Sequence, residues 1–180
     1  TLRSGGWISW SPMGFVGQDV WGATLGVIGF GRIGQAVARR AKGFGMRVLY
    51  HSRRRKVEAE AGLGAEYRSL DDLLRESDFI VVLVPLTPTT RRLIGRRELA
   101  LMKPTAVLVN VGRGGVVDED ALYEALKAGH LWGAGLDVWE HEPVPLDHPL
   151  LTLENVVALP HIGSASVATR TRMATLAAEN

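Results

Sequence analysis

The feature that most constrains this chain is a spaced set of three glycines, Gly29, Gly31 and Gly34, at the end of an apolar run over residues 25–29. The run predicts a strand buried on both faces, and apolar residues at helical spacing from Ile33 onward predict a helix after it. There the first glycine permits a tight turn, the second lets the backbone approach a phosphate, and the third allows close packing of helix on strand. The helix N-terminus presents free amides and a positive dipole, so the junction is predicted to bind a dinucleotide. The predicted site includes the intervening residues Phe30, Arg32 and Ile33.

The rest of the chain decides between a dinucleotide site and an ordinary turn that happens to use glycines. Further strands are predicted over residues 47–52, 65–67, 79–84, 106–111, 134–138 and 156–159. Helices are predicted from residue 33, over 57–63, from 71, and over about 90–102, 118–128 and 166–178. Strands that alternate with helices at this spacing predict an α/β domain with a doubly wound, mostly parallel sheet of the Rossmann type, here over residues 24–180. Residues 1–23, which contain three of the five tryptophans and show no period, are predicted to form an irregular arm.

Composition excludes several other classes of function. A length of 180 residues suits one domain, and a net charge of +2 is too small to indicate nucleic acid. The chain has no cysteine, and no stretch approaches the roughly 18 apolar residues of a membrane span. We expect a cytoplasmic protein with no metal site and no nucleic-acid or membrane partner. The chain starts at Thr1 without an initiator methionine or a signal-peptide pattern, and we expect it to be a piece of a longer protein.

The end of the second strand predicts which dinucleotide is preferred. NAD-specific folds place a carboxylate about 20 residues after the glycines, where it binds the ribose 2′-hydroxyl. Here Ser52 stands 18 residues after Gly34 and is followed by Arg53, Arg54 and Arg55. A hydroxyl and guanidinium groups suit a 2′-phosphate, so we predict that Ser52, Arg53 and Arg54 bind NADP(H), with NAD(H) as a possible second cofactor. The alternative is a solvated basic loop, as most runs of charge are.

Three ionisable residues in separate later motifs have the chemistry of a redox site. Arg113 lies in Asn-Val-Gly-Arg-Gly-Gly-Val-Val-Asp, Glu142 in Asp-Val-Trp-Glu-His-Glu-Pro, and His161 in Pro-His-Ile-Gly-Ser. A guanidinium holds a carboxylate, an imidazole moves a proton near neutral pH, and a carboxylate favours and orients the imidazolium. Considered singly, Arg113 suits a surface salt bridge better, and most histidines are structural. We interpret the other four in that way: His51, His130, His141 and His148.

The order and local sequence of these motifs resemble the D-2-hydroxyacid dehydrogenase family, most closely its glyoxylate and hydroxypyruvate reductases. The resemblance extends over essentially the whole chain and implies that Arg113 pairs with the carboxylate and carbonyl of a 2-oxo acid. It implies that His161 is the acid/base, and it selects Glu142 over Glu140 as the tuning carboxylate because Pro143 follows Glu142. The two glycines after Arg113 are interpreted as opening the backbone to the ligand. The remaining predicted cofactor contacts are Pro85, Thr90, Val111, Gly112, Asp137 and Gly163.

Some of these contacts have a second interpretation. Asp137 is predicted to bind the nicotinamide carboxamide, although a strand-terminating turn would also explain it. The loop over residues 85–90 is predicted to pass along the nicotinamide, although two prolines alone would make a rigid turn. Glu140 and His141 are predicted to face solvent.

The resemblance also implies parts that these residues lack. Family members have a second, flavodoxin-like substrate domain, so we expect the present chain to bind cofactor but turn over poorly by itself. The tryptophan-rich arm resembles the family's dimerisation segment, which predicts a homodimer, and packing of the arm on its own domain is the alternative. Sibling dehydrogenases of the phosphoglycerate, lactate or phosphite type share the scaffold. A nucleotide-sensing binding module is the alternative from another class.

Overall fold

The fold is a seven-stranded sheet in which every neighbouring pair of strands is parallel, as given by a computed structural model that describes residues 2–179. Thr1 and Asn180, the outer ends of the predicted arm and domain, lie outside the described residues. The strands are β1 Thr24–Ile28, β2 Arg47–His51, β3 Ala65–Tyr67, β4 Phe79–Val82, β5 Val107–Asn110, β6 Gly133–Leu136 and β7 Val156–Ala158. Their order is β3-β2-β1-β4-β5-β6-β7, which confirms the predicted doubly wound α/β class. The order reverses between β1 and β4, where a crevice opens beyond the carboxyl ends of the strands.

Within residues 2–179, six helices connect or follow the strands. They are α1 Arg32–Ala41, α2 Val57–Leu63, α3 Leu70–Glu76, α4 Arg96–Leu99, α5 Glu119–Lys127 and α6 Val167–Glu179. Two of them begin at a side-chain cap of the usual kind: the Ser69 hydroxyl accepts from the amide of Asp72, and the Asp118 carboxylate accepts from the amide of Ala121. Short 3₁₀ turns occur at Leu2–Ser4, Lys42–Phe44 and Pro149–Thr152.

The core has one layer on each face of the sheet because side chains alternate along a strand. Val27 of β1 packs in the layer that contains Ala38 of α1, whereas the next residue, Ile28, packs in the layer that contains Leu73 of α3 and Leu122 of α5. Burial of each large apolar side chain contributes about 1.5–3 kcal/mol relative to exposure. The two layers therefore hold the strand ends, and the loops that leave them, in one rigid arrangement.

The helix predicted over residues 90–102 is wrong in extent, since only Arg96–Leu99 is α-helical. Before it, Ile94 forms an isolated parallel bridge with Val117, and its amide donates to the carbonyl of Val116 at 3.1 Å. Backbone that pairs with another segment cannot also continue a helix, so α4 begins only after Gly95. Contact with a distant segment has overridden the local helical pattern.

Residues 2–23 are irregular beyond their first turn, and most of their side chains are exposed, including those of Trp7, Trp10 and Trp21. Helix α6 likewise has no buried residue. None of the helices within residues 2–179 combines the length and apolar character needed to cross a membrane.

Candidate active site

A cavity of about 820 Å³ opens at the carboxyl edge of the sheet, between the loops that follow β1, β2 and β4. Eight predicted cofactor residues line it: Gly29, Phe30, Gly31, Ser52, Arg53, Arg54, Pro85 and Thr90. Five lining residues were not predicted: Lys56, Leu83, Val84, Thr87 and Thr89. Lys56 could have been found, since it continues the basic run, and the two threonines belong to the loop already identified.

The glycine turn has a geometry suited to a phosphate. Gly29 has a φ of +103°, which side chains rarely adopt, and a Cβ on Gly34 would lie 2.3 Å from the carbonyl oxygen of Gly29. At Gly31 a Cβ would meet nothing within 4 Å, so the backbone is open to a ligand. Helix α1 starts there with no side-chain cap and no acidic residue in its first turn. Its first amides are therefore available to an anion.

Arg32 and Ile33 open helix α1 directly after this turn. They also line a separate shallow groove of about 500 Å³ on the outer side of α1. The other residues of the groove are Ala36, Val37 and Arg40. The prediction that Arg32 and Ile33 contact the cofactor stays a prediction.

The basic loop after β2 contains arginines in two different states. Arg55 donates to both carboxylate oxygens of Glu60 at 2.8 Å, and this pairing lowers the pKa of Glu60. Arg53 and Arg54 pair with no carboxylate among residues 2–179, and both border the cavity. The loop is held from below, where the amide of Lys56 donates to the Tyr50 hydroxyl at 2.8 Å. Two cations are therefore free for a ligand anion.

The loop after β4 is closed by its own hydroxyls. Thr90 Oγ1 donates to the carbonyl oxygen of Pro85 at 2.6 Å and lies 2.8 Å from the amide nitrogen of Thr87, from which it accepts. The rigid turn considered as an alternative for this segment is thus present, and it forms one wall of the cavity.

Glu142 and His161 lie together although 19 residues separate them in the chain. His161 Nδ1 lies 2.8 Å from Glu142 Oε2, and the amide of Trp139 donates to the other carboxylate oxygen at 3.0 Å. These two hydrogen bonds, with the charge of Arg113, lower the pKa of the Glu142 carboxyl. Since Glu142 occupies Nδ1, the Nε2 atom of His161 is the nitrogen left for a substrate.

The backbone at His161 is strained, and Asp137 holds it. His161 has a φ of +53°, a left-handed conformation that costs a non-glycine residue of order 1 kcal/mol or more. Asp137 is buried, and its two oxygens accept from the amides of Ile162 and Gly163 at 2.7 Å each. Asp137 thus fixes the turn that presents His161. Each oxygen retains a second lone pair, so the predicted carboxamide contact stays a prediction.

Arg113 projects from the loop after β5, and a residue that the sequence interpretation did not assign braces that loop. The buried Asn110 accepts from the amide of Gly112 at 3.2 Å and donates to the carbonyl of Arg113 at 3.1 Å. The Arg113 guanidinium donates once, to the carbonyl of Gly112 at 2.7 Å, which leaves most of its five N–H groups for a ligand.

The other two predicted residues of this loop are Val111 and Gly112. The side chain of Val111 is exposed. A Cβ on Gly112 would lie 2.8 Å from the carbonyl oxygen of Val84 in the cavity wall.

The two glycines after Arg113 have a different role from the one interpreted from the sequence. Gly114 and Gly115 are buried, and a Cβ on Gly114 would lie 1.9 Å from the carbonyl of Trp139. Gly114 therefore admits the loop that carries Glu142, and Gly115 supplies a φ of +71° at the turn. Glu140 is also not free in solvent, since its carboxylate pairs with Arg91 at 3.1 Å, whereas His141 is exposed.

Comparison with known proteins agrees with this architecture. Residues 1–163 match the family model of the D-isomer specific 2-hydroxyacid dehydrogenase, NAD binding domain. A glyoxylate reductase from Thermococcus gammatolerans is 60% identical over 182 residues, which is 99% of this chain and 54% of the relative. The chain thus spans about half the length of the curated relatives it matches.

Two solved structures extend the comparison. The TT0316 protein from Thermus thermophilus is 52% identical with a TM-score of 0.93, over 99% of this chain and 56% of that one. A glyoxylate reductase from Paecilomyes thermophila is 42% identical with a TM-score of 0.87, over 97% and 52% of the two chains.

Proposed function

The chain belongs to the D-isomer specific 2-hydroxyacid dehydrogenases, and from that premise we propose that it reduces glyoxylate, hydroxypyruvate or a similar small 2-oxo acid with NADPH. One observation carries the proposal. The Glu142–His161 pair is joined at 2.8 Å, and the pair and Arg113 lie in loops beyond the carboxyl ends of β5, β6 and β7, the edge of the sheet at which the cavity opens. A cation and a carboxylate-bound imidazole at one edge are the groups that ketone reduction needs.

The cavity fits a nicotinamide dinucleotide by its own chemistry. The open backbone at Gly31 and the uncapped N-terminus of α1 suit a pyrophosphate. Arg53 and Arg54, which lack carboxylate partners within residues 2–179, suit a 2′-phosphate, with Ser52 beside them and Lys56 as a third cation. These features support NADP(H) over NAD(H).

When bound, the reduced nicotinamide supplies a hydride to the carbonyl carbon of the substrate. Arg113 then has two tasks, for which its remaining N–H groups suffice. It binds the substrate carboxylate in a fixed orientation, and it stabilises the negative charge that develops on the carbonyl oxygen. Asn110 supports both tasks because it holds the loop from which Arg113 projects.

His161 supplies the proton. The Nε2–H of the imidazolium donates to the carbonyl oxygen, and the imidazole that remains keeps its Nδ1–H on Glu142. Glu142, like any carboxyl, is ionised at neutral pH, and the lowering of its pKa by the bond to His161 keeps it so under more acidic conditions, so the imidazolium has a counter-charge before transfer. Asp137 acts on the same residue from the backbone side, through the turn at Ile162 and Gly163.

The test is NADPH oxidation by the full-length protein with a panel of small 2-oxo acids. We expect turnover with glyoxylate or hydroxypyruvate, and a loss of about 10²–10⁴-fold in kcat for His161→Asn, the size of a general acid's contribution. Arg113→Ala is expected to raise the KM for the 2-oxo acid and lower kcat as well. The matched control is His130→Asn, because His130 is exposed and distant from the pair in sequence and fold.

Two outcomes would contradict the proposal. Tight NADPH binding without reduction of any 2-oxo acid would favour a nucleotide sensor. Full activity of His161→Asn would remove the proposed proton donor. We further propose that residues 1–180 bind the nucleotide by themselves but turn over slowly, because the relatives are nearly twice as long and the substrate pocket needs residues beyond these.

We also propose that the arm over residues 1–23 is a dimerisation segment. Its described part exposes the large apolar side chains of Trp7, Trp10 and Trp21 together with those of Ile8 and Phe15, and a concentration of exposed apolar residues marks an interaction surface. A two-fold interface would bury the same surface on both partners.

A further inference from the structure

Trp139 makes two hydrogen bonds that reach both members of the Glu142–His161 pair. Its backbone amide donates to Glu142 Oε1 at 3.0 Å, and its indole Nε1–H donates to the carbonyl oxygen of Leu159 at 3.0 Å. Leu159 lies two residues before His161. We propose that Trp139 is a positioning residue that sets the separation of Glu142 and His161, an inference that rests on the proposed function of that pair.

The pair needs such support because it is not enclosed. The side chains of Glu142 and His161 are 38% and 47% exposed. An ion pair at such exposure contributes little by itself, since holding two side chains in one geometry costs rotamer entropy. Fixing the carboxylate from one side and the backbone before the imidazole from the other reduces that cost. One residue performs both tasks, the first through its backbone amide and the second through its indole N–H.

The indole is specific for this role. Tryptophan is the aromatic residue whose ring carries an N–H that only donates, so the Leu159 carbonyl receives a bond that phenylalanine cannot make. The family pattern Asp-Val-x-x-x-Glu-Pro leaves position 139 open, and no role was assigned to it from the sequence. The bond therefore emerges only from the folded chain, where residues 139 and 159 meet.

Contacts on its other sides keep Trp139 in place. It is buried, and Gly114 lies against its carbonyl so closely that a Cβ there would be 1.9 Å away. The His148 ring meets the indole edge-on with 5.5 Å between ring centroids. His148 Nε2 lies 3.1 Å from Glu119 Oε2, and the other oxygen of Glu119 accepts from the Glu140 amide at 2.7 Å.

The His148 ring is itself fixed in one tautomer by these bonds. Its Nδ1 accepts from the amide of Leu150 at 3.3 Å, so Nε2 must carry the hydrogen that is donated to Glu119. Glu119 thereby joins both ends of the segment 140–148 to the start of α5. The backbone of Trp139 thus lies against Gly114, and its indole lies against the His148 ring of this segment.

The test is Trp139→Phe in the full-length protein, which removes one N–H and keeps an aromatic edge on His148. We expect kcat to fall about tenfold, less than the roughly hundredfold loss associated with a 1 Å misplacement, with the KM for NADPH unchanged.

The pH dependence of kcat in Trp139→Phe should also differ from that of wild type. The NMR titration curve of the His161 imidazole should shift from that of wild type toward that of Glu142→Gln. Of the charged groups around this imidazole, Glu142 contacts it directly, Arg113 acts on Glu142 through its charge, and Asp137 accepts from the backbone amides of the two residues that follow His161.

The matched control is Trp132→Phe, the same chemical change at a tryptophan that is 45% exposed after α5. It should leave kcat and the His161 titration as in wild type. Glu119→Gln leaves one acceptor oxygen for two donors, the Glu140 amide and His148 Nε2–H. It should therefore change kcat and the His161 titration in the same direction as Trp139→Phe, and it replaces that variant if Trp139→Phe does not fold.

An unchanged His161 titration in folded Trp139→Phe, or a change equal to that of Trp132→Phe, would overturn the inference. A wild-type protein that reduces no 2-oxo acid would instead overturn the proposed function, because the NMR comparison does not depend on turnover.

Discussion

Three consecutive arginines after β2 illustrate how much depends on the partners of a single residue. Their side chains are chemically identical, yet Arg55 is bound on both sides of its fork by Glu60, while Arg53 and Arg54 have no carboxylate partner in the described chain. The sequence predicted a 2′-phosphate site at Ser52, Arg53 and Arg54, with a solvated basic loop as the alternative, and it did not show which arginines lack a carboxylate partner. Tyr50 is buried beneath the loop and stacks on Phe30 with 4.0 Å between ring centroids. Its hydroxyl donates to the Glu60 carboxylate and so holds that group beside Arg55.

At the scale of single residues, we predict that Arg54→Ala weakens the binding of NADPH and leaves the binding of NADH unchanged. Loss of a charge-assisted hydrogen bond corresponds to about 1.5–3 kcal/mol, and exposure of the loop reduces this, so a rise of about tenfold in the KM for NADPH is expected. High salt should reduce the difference between variant and wild type. Steady-state kinetics give the KM for NADPH and for NADH in each variant. Arg39→Ala, on the exposed side of α1, is the control and should leave both KM values unchanged. Equal losses for NADPH and NADH would argue against a 2′-phosphate site.

Among elements, the turn from β1 into α1 was predicted most closely and for identifiable reasons. A strand, three spaced glycines and a helix leave few backbone solutions, and each glycine has its own geometric requirement. The segment before α4 was predicted least well. Its side chains repeat with a helical period, but Ile94 pairs with Val117, 23 residues away. Periodicity reports which residues face the core, and it does not report which backbone groups pair.

The turn leads to a prediction that separates folding from binding. In Gly34→Ala the new methyl group would lie 2.3 Å from the backbone oxygen of Gly29, which cannot move aside, so we expect a loss of about 1–3 kcal/mol in the free energy of unfolding. In Gly31→Ala the methyl group meets nothing, so stability should be kept while nucleotide affinity falls. Thermal melts and binding titrations distinguish the two effects.

Gly43→Ala, also with no atom within 4 Å of the added Cβ, should change neither stability nor affinity. If Gly34→Ala melted at the wild-type temperature, the close packing of α1 on the turn would not be the reason for that glycine.

At the scale of the whole molecule, four charged residues join β2, β3 and α3 along one edge. Glu66 accepts from Arg47 at 2.9 and 3.0 Å and from Arg68, and both arginines also bind Glu76. The hydrogen bonds from Arg47, followed by those from Arg68, lower the pKa of Glu66 from 4.5 to about 2. Such networks are worth more than isolated surface pairs.

The sign of the resulting pH effect follows from linkage. Above pH 4.5 Glu66 is ionised in both folded and unfolded chains, and its contribution to stability is complete. Between 4.5 and about 2 the unfolded chain takes up a proton that the folded chain resists, so this contribution is lost as the pH falls. We predict that the stability difference between wild type and Glu66→Gln shrinks across this window, as measured by urea unfolding at a series of pH values. A difference that does not vary with pH would contradict the assignment.

The arm belongs to the same scale, because its apolar surface has no counterpart within the described chain. If it is a dimerisation segment, wild type should sediment as a dimer in analytical ultracentrifugation. Replacing Trp7 and Trp10 by serine should then raise the dissociation constant. A strictly monomeric wild type would favour packing of the arm on its own domain.

The alternation of strands and helices and the glycine turn were determined by local sequence, and the proposed reacting residues were selected from local motifs. These features depend on backbone dihedral preferences and on the period of apolar side chains, which neighbouring residues encode. The partners of each side chain were decided only by the tertiary structure: Glu60 for Arg55, the Trp139 carbonyl for Gly114, the Leu159 carbonyl for Trp139. Those pairings join segments that lie 5 to 25 residues apart in sequence. The distances between the paired groups depend on how the two core layers pack against the sheet. That packing is a property of the whole chain and cannot be read from any single segment.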